Sequence, residues 1–237
     1  MTSYNERYFY PGTNTFINHF GIKDSMVLAQ IETAITEQAA FETPTNKMKF
    51  SPEGFKKLHG QIFGGVYPWA GDFRNVDMAK HIEGDKRIHF EKGVFVKTSM
   101  ERLCGELSHD LKSTDGFKTK DKKQFAHRAS VYLADLNFIH PFPEGNGRIQ
   151  RLFLQNLAER SDFSLNYNKL RKSSWIEASI DSYKQPVMGA HREMGAVIEG
   201  AISERILSKS KDKKEEKLKY LRQQIKNNDR DNKDRGR

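Results

Sequence analysis

The chain has 237 residues and a net charge of +9, with 36% hydrophobic and 11% aromatic residues. This length suits one domain of ordinary size with a tail, and the aromatic content can furnish a core, which argues against global disorder. We expect no membrane insertion, since no apolar run approaches the ~18 residues that cross a bilayer. We expect no cleaved signal peptide, since the N-terminus has no basic region followed by an apolar one. The single cysteine excludes an internal disulfide framework and a cysteine-rich zinc site.

The positive charge is concentrated towards the C-terminal end. Residues 208–237 hold 12 basic and 6 acidic residues, so six of the nine net charges lie there. This composition fits a charged tail or linker that runs from helical to disordered. The rest of the chain is close to neutral, so we expect no specific nucleic-acid binding. A nucleic-acid binder that acts through the tail stays open as an alternative, and its binding would be sensitive to salt.

Mainly helical structure is expected before the tail. Asp24 is placed to cap one helix, and Ser51 followed by Pro52 starts another. Apolar residues recur at helical spacing in five stretches: Val27, Ile31 and Ile35; Phe55, Leu58, Ile62 and Val66; Phe125, Ala129, Tyr132, Leu133 and Leu136; Ile180 and Tyr183 after a capping box at Ser174; Val197, Ile198, Ile202 and Ile206.

One stretch departs from helical periodicity. Residues 73–78 and 87–90 have the composition of extended segments, and Glu83-Gly84-Asp85 between them favours a turn. We therefore predict a β-hairpin within residues 71–93, which leaves an unpaired strand edge on a helical body.

Residues 138–151 read FIHPFPEGNGRIQR and carry the candidate chemistry. A helix must stop before Pro141, because the residue before a proline is pushed out of the α region, so His140 lies at a helix exit. The glycines around Asn146 permit a tight turn that leads into the next helix. The N–H groups and positive dipole end of that helix favour an anion.

The charged side chains around this turn suit a polyphosphate. Arg148 and Arg151 lie one turn apart and can reach phosphate oxygens from the same side. Glu144 can hold Mg2+, which favours one or two carboxylates together with substrate phosphates. His140 can be neutral at pH 7 and act as a general base. Together these residues fit transfer from a nucleoside polyphosphate to a hydroxyl.

The same segment resembles the Fic-domain signature HxFx[D/E]GNGRxxR, with all eight fixed positions present between His140 and Arg151. VYPWAGDFR at 66–74 resembles the block that precedes the Fic flap, and YPGTNTFINHFGIKD at 10–24 resembles the start of the Fic domain in Bartonella effector proteins. The resemblance implies a mainly α Fic fold, a helical bundle with a β-hairpin flap, over residues 1–207. A charged tail follows at 208–237.

The resemblance further implies a protein adenylyltransferase, which transfers AMP from ATP to a Tyr, Thr or Ser hydroxyl of a target protein. His140 would be the catalytic base and Glu144 the Mg2+ ligand. The nucleotide site would comprise Gly145, Asn146, Gly147, Arg148 and Arg151. The flap would dock an extended target segment by β-augmentation, through Arg74, Asn75, Val76, Asp77, Met78, Ala79, Lys80, Lys86 and Arg87. The target class that the resemblance suggests is a host small GTPase of the Rho/Rac family.

Regulation and location are expected from the same resemblance. Many Fic proteins carry an inhibitory helix with [S/T]xxxE[G/N], and the sequence holds no such match. The chain is then either uninhibited, or a separate small antitoxin supplies this helix. We favour the antitoxin, with Arg151 as its contact. The expected location is the bacterial cytoplasm, with secretion into the host cytosol for an effector.

Two other functions stay open. A Fic-fold phosphotransferase, or an enzyme with another nucleotidyl donor, would share the site, although the intact Asn146-Gly147 pair favours AMP. A non-catalytic docking module would keep the fold without the chemistry, which the complete motif disfavours.

Overall fold

The structure, a computed structural model, describes residues 4–204 except 44–47, 82–86, 116, 162, 167–168, 170–171 and 185–190. Helices dominate: α1 (Tyr4–Tyr8), α2 (Ser25–Glu42), α3 (Pro52–Phe63), α4 (Val96–Ser113), α5 (Lys122–Ile139), α6 (Asn146–Arg160), α7 (Lys172–Lys184) and α8 (His191–Ala201). The strands are short: β1 (Ala79–His81), β2 (Arg87–His89), β3 (Phe163–Leu165) and β4 (Ile202–Glu204). The prediction of a mainly helical chain is confirmed.

The predicted helix starts are built as the sequence indicates. The Asp24 carboxylate accepts the N–H groups of Met26 and Val27, and the Ser51 hydroxyl accepts that of Gly54. Each cap satisfies amides that the first helical turn leaves without an intrahelical partner. Asp121 caps α5 in the same way. The predicted cap at Ser174 lies inside α7, which begins at Lys172.

Helix α5 lies at the centre of the core and packs against α4, α6, α7 and α8. Four of the five residues of its predicted apolar face, Phe125, Ala129, Leu133 and Leu136, are buried, and the fifth, Tyr132, is half-buried. This packing fixes the C-terminal end of α5, where the motif segment begins, relative to the start of α6.

The inner face of α2 differs from the prediction. Val27 is 44% exposed, whereas its neighbour Leu28 is 4% exposed. The buried stripe continues through Glu32 and Thr36, while Ile31 and Ile35 flank it half-buried. Apolar periodicity misplaced this face because two of its buried positions are polar and bind a charged partner, as described below.

The last predicted helical stripe is also corrected. Helix α8 ends at Ala201, and Ile202 belongs to β4, which pairs with β3. The amide of Asn166 donates to the carbonyl of Ala201 beside this pair. Ile206 lies outside the described residues.

The predicted β-hairpin is present, with its first strand later than expected. β1 and β2 are antiparallel, and Lys80 faces Ile88 in the register. The predicted first strand, residues 73–78, is instead a connection to β1, and the predicted turn at 83–85 lies outside the described residues. We call residues 74–92 the flap.

The described part of the chain forms one compact unit that ends at Ser203. The predicted boundary at 207 and the predicted charged tail lie outside the described residues. Among the helices that the structure describes, none is long and apolar enough to cross a membrane.

Candidate active site

His140 ends α5 in a left-handed backbone conformation, with φ 46° and ψ 62°. Its ring stacks on Phe90 of the flap, with 3.7 Å between ring centroids. Burial lowers the pKa of His140 to about 3, so the imidazole is neutral at pH 7. Nδ1 lies 3.3 Å from the Asn137 carbonyl oxygen. Because a carbonyl only accepts, Nδ1 carries the proton in this contact and Nε2 keeps a lone pair.

Residues 140–145 connect α5 to α6, and we call them, together with Ile139 at the end of α5, the motif loop. Side chains from distant parts of the chain bind its carbonyl oxygens. Tyr4 Oη donates to Pro143 O at 2.6 Å, and His59 Nε2 lies 3.0 Å from Glu144 O. Arg74 donates to the carbonyls of Ile139 and His140. These carbonyls are therefore directed into the protein, and the start of α6 presents N–H groups.

The side chain of Asn146 also shapes the motif loop. Its Nδ2 donates to Phe142 O at 2.7 Å, and its Oδ1 accepts the Phe142 N–H at 3.0 Å. The side chain is thus engaged within the loop. At an anion site Asn146 would contribute its backbone N–H, at the first position of α6, where no intrahelical acceptor exists.

Both the backbone conformation and the close packing at position 145 require glycine. Its φ is 83°, a region that side chains with a Cβ rarely adopt. A β-carbon here would lie 2.2 Å from the Phe63 ring. Because glycine permits this close approach, Phe63 at the end of α3 packs directly against the motif loop.

His59 is a second neutral histidine beneath the loop. Its Nδ1 accepts the Gly71 N–H at 2.9 Å, so Nε2 carries the proton and donates to Glu144 O. Burial lowers the pKa of His59 to about 4, and the ring stacks on Phe142. His59 therefore joins the motif loop to Gly71, in the Trp-Ala-Gly part (69–71) of the 66–74 block.

The guanidinium of Arg148 is held by α2. It forms a 2.7 Å ion pair with Glu32 and donates to Thr36 Oγ1 at 2.9 Å. The hydroxyl of Tyr67 donates to the second Glu32 oxygen, and Arg148 lies over the Phe63 ring. These contacts explain the polar inner face of α2.

Arg151 follows Arg148 by one turn of α6. Its Nη1 is 3.8 Å from the place that a β-carbon on Gly147 would take. The structure thus brings Arg151 close to Gly147 in the first turn of α6, while Arg148 turns towards α2 and binds Glu32. That the two arginines reach phosphate oxygens from the same side stays a prediction.

Glu144 is half-buried at the same helix start. Burial raises its pKa, the Gly145 N–H opposes the rise by donating to Oε1 at 2.9 Å, and the nearby Glu32 adds to it. A cation beside Glu144 would relieve this unfavourable burial of charge. Within the described residues no group of three metal-binding side chains surrounds it. Mg2+ fits such a site, because it takes its other ligands from phosphates and water.

Comparison with known proteins places the chain in a family. A family model described as Fic/DOC matches residues 49–158. The probable protein adenylyltransferase y4lH of Sinorhizobium fredii is 32% identical over 176 residues, which cover 73% of this chain and 86% of that protein. This chain belongs to the Fic/DOC family.

Other members of the Fic/DOC family extend the comparison. The protein adenylyltransferase VbhT of Bartonella schoenbuchensis is 33% identical over 181 residues, which cover 76% of this chain. The chain spans 36% of the length of VbhT. A crystal structure of BepC from Bartonella tribocorum, a VirB-translocated effector protein, contains bound AMPPNP. Its sequence is 22% identical to this chain, and the two structures superpose with a TM-score of 0.71 over 86% of this chain and 98% of that chain. The fold is therefore the Fic fold.

The structure separates the predicted flap residues into two groups. Lys80 and Arg87 are exposed on the paired strands, together with Ala79. Asn75, Val76, Asp77 and Met78 precede β1, and Asp77 accepts the Gly93 N–H. Arg74 does not present its side chain for docking, because it is 1% exposed and binds backbone carbonyls. Lys86 lies outside the described residues.

Several residues of the Fic site have no sequence signal of their own. Glu32 and Thr36 lie outside the matched family segment, and polar positions on α2 are invisible to apolar periodicity. His59 lacks ligand spacing, and Tyr4 lies over 130 positions from its partner. The Trp-Ala-Gly-x-x-Arg block did single out Arg74, although not its role.

Proposed function

We propose that this chain is a protein adenylyltransferase, which moves AMP from ATP to a hydroxyl of a Tyr, Thr or Ser side chain. The observation that carries the proposal is the neutral ring of His140, with Nε2 as the unprotonated nitrogen, at the end of a loop whose carbonyls are bound by other side chains. The names of VbhT and y4lH support the same activity.

The reaction needs a base at the target hydroxyl. Nε2 of His140 would take the hydroxyl proton while the hydroxyl oxygen bonds to the α-phosphorus of ATP. The bond from the α-phosphorus to the bridging oxygen breaks, and pyrophosphate leaves. The low pKa of His140 keeps the ring in its proton-accepting form.

The nucleotide phosphates would bind at the start of α6. The N–H groups of Asn146 and Gly147 point out of the first helical turn, where the helix dipole favours an anion. Arg151 supplies a positive charge over Gly147, and Arg148 a second, fixed by Glu32. Preorganised groups of this kind provide most of the catalysis in phosphoryl transfer.

Glu144 would hold Mg2+ together with the phosphates. When bound, the ion neutralises charge that develops on the leaving pyrophosphate. Glu144 is kept in place for this by the Gly145 N–H and by the His59 contact to its carbonyl.

The target would dock on the flap. β1 and β2 form a two-stranded sheet, and a third, extended segment can pair with an open edge. The exposed Lys80 and Arg87 favour a segment with acidic residues beside the hydroxyl. Resemblance to Bartonella effectors makes a Rho/Rac-type GTPase the target class to test first. Secretion into host cytosol rests on the same resemblance and on the naming of BepC as a translocated effector.

A regulatory partner is part of the proposal. A separate small antitoxin would place an inhibitory helix against Arg151, which is exposed at the surface. Co-purification of the chain with the product of a neighbouring small gene, lost on Arg151→Ala, would support this partner.

The experiment that tests the activity is intact-mass spectrometry of a host lysate or GTPase panel after incubation with the chain, ATP and Mg2+. Addition of one adenylyl group is expected, and His140→Ala should slow it by about 10²–10⁴-fold, the usual contribution of a general base. His109→Ala, on an exposed position of α4, is the matched control.

The other outcomes of this experiment are equally informative. Addition of a phosphoryl group would identify the phosphotransferase instead. A His140→Ala variant with undiminished transfer would refute the role of His140. AMPPNP binding without any transfer, across the whole panel and lysate, would favour the docking module.

A further inference from the structure

Arg74 is a buried cation that binds the backbone on both sides of His140. It is 1% exposed, and its Nε donates to His140 O at 2.7 Å. Its Nη2 donates to Ile139 O at 2.9 Å, and its own N–H donates to Pro141 O at 2.8 Å. The left-handed turn that aims His140 is therefore fixed by one residue.

The same guanidinium binds both ends of the flap. Nη1 donates to Val76 O at 2.8 Å, before β1, and Nη2 donates to Glu91 O at 2.6 Å, after β2. The planar fork of Arg74 thus connects four carbonyls, two of the flap and two of the motif loop.

Two neighbouring contacts strengthen this junction. The Glu91 N–H donates to Phe138 O at 3.1 Å, which joins the end of the flap directly to α5. Phe90 then covers the His140 ring at 3.7 Å. The position of β2 and the orientation of the imidazole are consequently determined together.

We propose that Arg74 is a positioning residue that sets the distance and angle between the target-docking flap and the His140 imidazole. A target segment paired on the flap would then deliver its hydroxyl to Nε2 in a fixed register. This inference rests on the proposed function, since it assigns a role within adenylyl transfer.

The geometry predicts which step depends on Arg74. The nucleotide half of the site has separate supports: Tyr4 and His59 bind the carbonyls of residues 143 and 144, and Phe63 packs against Gly145. Loss of Arg74 should therefore slow transfer while nucleotide binding is unchanged. Lysine cannot substitute, because a single ammonium cannot reach four carbonyls spread around a planar fork.

The test compares Arg74→Lys with Arg102→Lys, an exposed arginine on α4 as the control. Three quantities are measured: the dissociation constant of AMPPNP by calorimetry, the initial rate of AMP transfer to lysate proteins, and the ring-current shift of the His140 protons by NMR. We expect Arg74→Lys to keep its AMPPNP affinity, to lose about 10²-fold in rate, and to lose the upfield shift that Phe90 causes.

A second pair of variants covers the case in which Arg74→Lys does not fold. A β-carbon on Gly93 would lie 2.4 Å from Val76 N, so Gly93→Ala displaces the flap base without removing a buried charge. A β-carbon on Gly105, in α4, meets nothing within 4 Å, which makes Gly105→Ala its control. Gly93→Ala should show the same loss of rate and of ring-current shift at unchanged AMPPNP affinity.

The inference is overturned if a folded Arg74→Lys keeps the rate of its control, if the His140 shift is unchanged, or if affinity and rate fall in proportion. If the unmodified chain transfers no AMP, the proposed function fails, and the NMR shift still decides whether Arg74 fixes His140 against the flap.

Discussion

At the scale of single residues, the motif loop is ordered by side chains that bind its carbonyl oxygens. Tyr4, His59, Arg74 and Asn146 each take one or more of them. A carbonyl directed at a phosphate would repel it, so this arrangement leaves N–H groups as the dipoles that face a bound nucleotide. We therefore expect the backbone of the motif loop to favour binding of an anion.

Gly145→Ala tests the fit of the loop against Phe63. It introduces both an unfavourable φ and a 2.2 Å overlap with the ring, whereas Gly12→Ala, at φ 73°, introduces the φ alone and meets nothing within 4 Å. We expect Gly12→Ala to lower the free energy of unfolding by about 1 kcal/mol.

Gly145→Ala should cost clearly more than Gly12→Ala in urea denaturation and should abolish AMPPNP binding in calorimetry. Equal destabilisation by the two substitutions would show that the overlap with Phe63 is relieved at no cost.

At the scale of secondary structure, α2 completes a site that the Fic motif alone does not. Its buried Glu32 joins Arg148 and Tyr67, although α2 precedes the matched family segment. Removing one partner of a largely buried ion pair leaves the other without compensation.

Glu32→Ala is therefore expected to lower the free energy of unfolding by about 2–3 kcal/mol, less than for a fully buried pair because Arg148 is partly exposed. Thermal denaturation measures this, with Glu37→Ala, on the exposed face of the same helix, as the control. A Tm equal to that of the control would mean that α2 docks without this ion pair.

The flap offers a separate test of target choice. Neutralising Lys80, Lys86 and Arg87 together should change which lysate proteins are modified, because the first and last of these are exposed on paired strands. AMPPNP affinity should change little, since the phosphates bind at α6. Equal losses of target modification and AMPPNP affinity would count against a docking role for these charges.

Sequence reasoning recovered the elements whose signals are local. Asp24 and Ser51 cap the helices they were expected to cap, and four of the five residues predicted for the face of α5 are buried. The predictions were wrong where a residue distant in sequence determines which face is buried or which element forms. The inner face of α2 is set by Arg148, more than 100 positions away, and Ile202 joins a strand because β3 lies beside it.

The candidate site divides in the same way. The proline after His140 predicted that this residue ends a helix, and His140 does end α5. That Arg148 and Arg151 reach phosphate oxygens from the same side stays a prediction. The supporting shell of Glu32, His59 and Tyr4 could not be predicted, because its members are scattered and each belongs to a common residue type.

At the scale of the whole molecule, we expect two neutral histidines, the buried His59 and the half-buried His140, to make stability depend on pH. Burial lowers the pKa of His140 to about 3 and that of His59 to about 4. The unfolded chain binds protons near pH 6.5 that the folded chain does not, so stability is full above pH 6.5 and falls as the pH decreases towards those values.

For each of the two rings, we expect the free energy of unfolding to fall by about 2 kcal/mol between pH 7 and pH 5. Urea denaturation at both values measures this. His140→Ala should remove about half of the histidine-dependent loss, whereas His109→Ala, at an exposed position, should leave it intact. An unchanged pH dependence in His140→Ala would show that its ring protonates without unfolding.

The left-handed backbone of His140 has a consequence for the history of such chains. A side chain at φ 46° is held against its own preference, and glycine would relieve this by about 1 kcal/mol relative to alanine. His140→Gly should therefore melt at a higher temperature than His140→Ala. A histidine kept at this position for AMP transfer therefore lowers the stability of the fold. In a lineage released from selection for AMP transfer, we expect glycine to replace this histidine while the fold is retained.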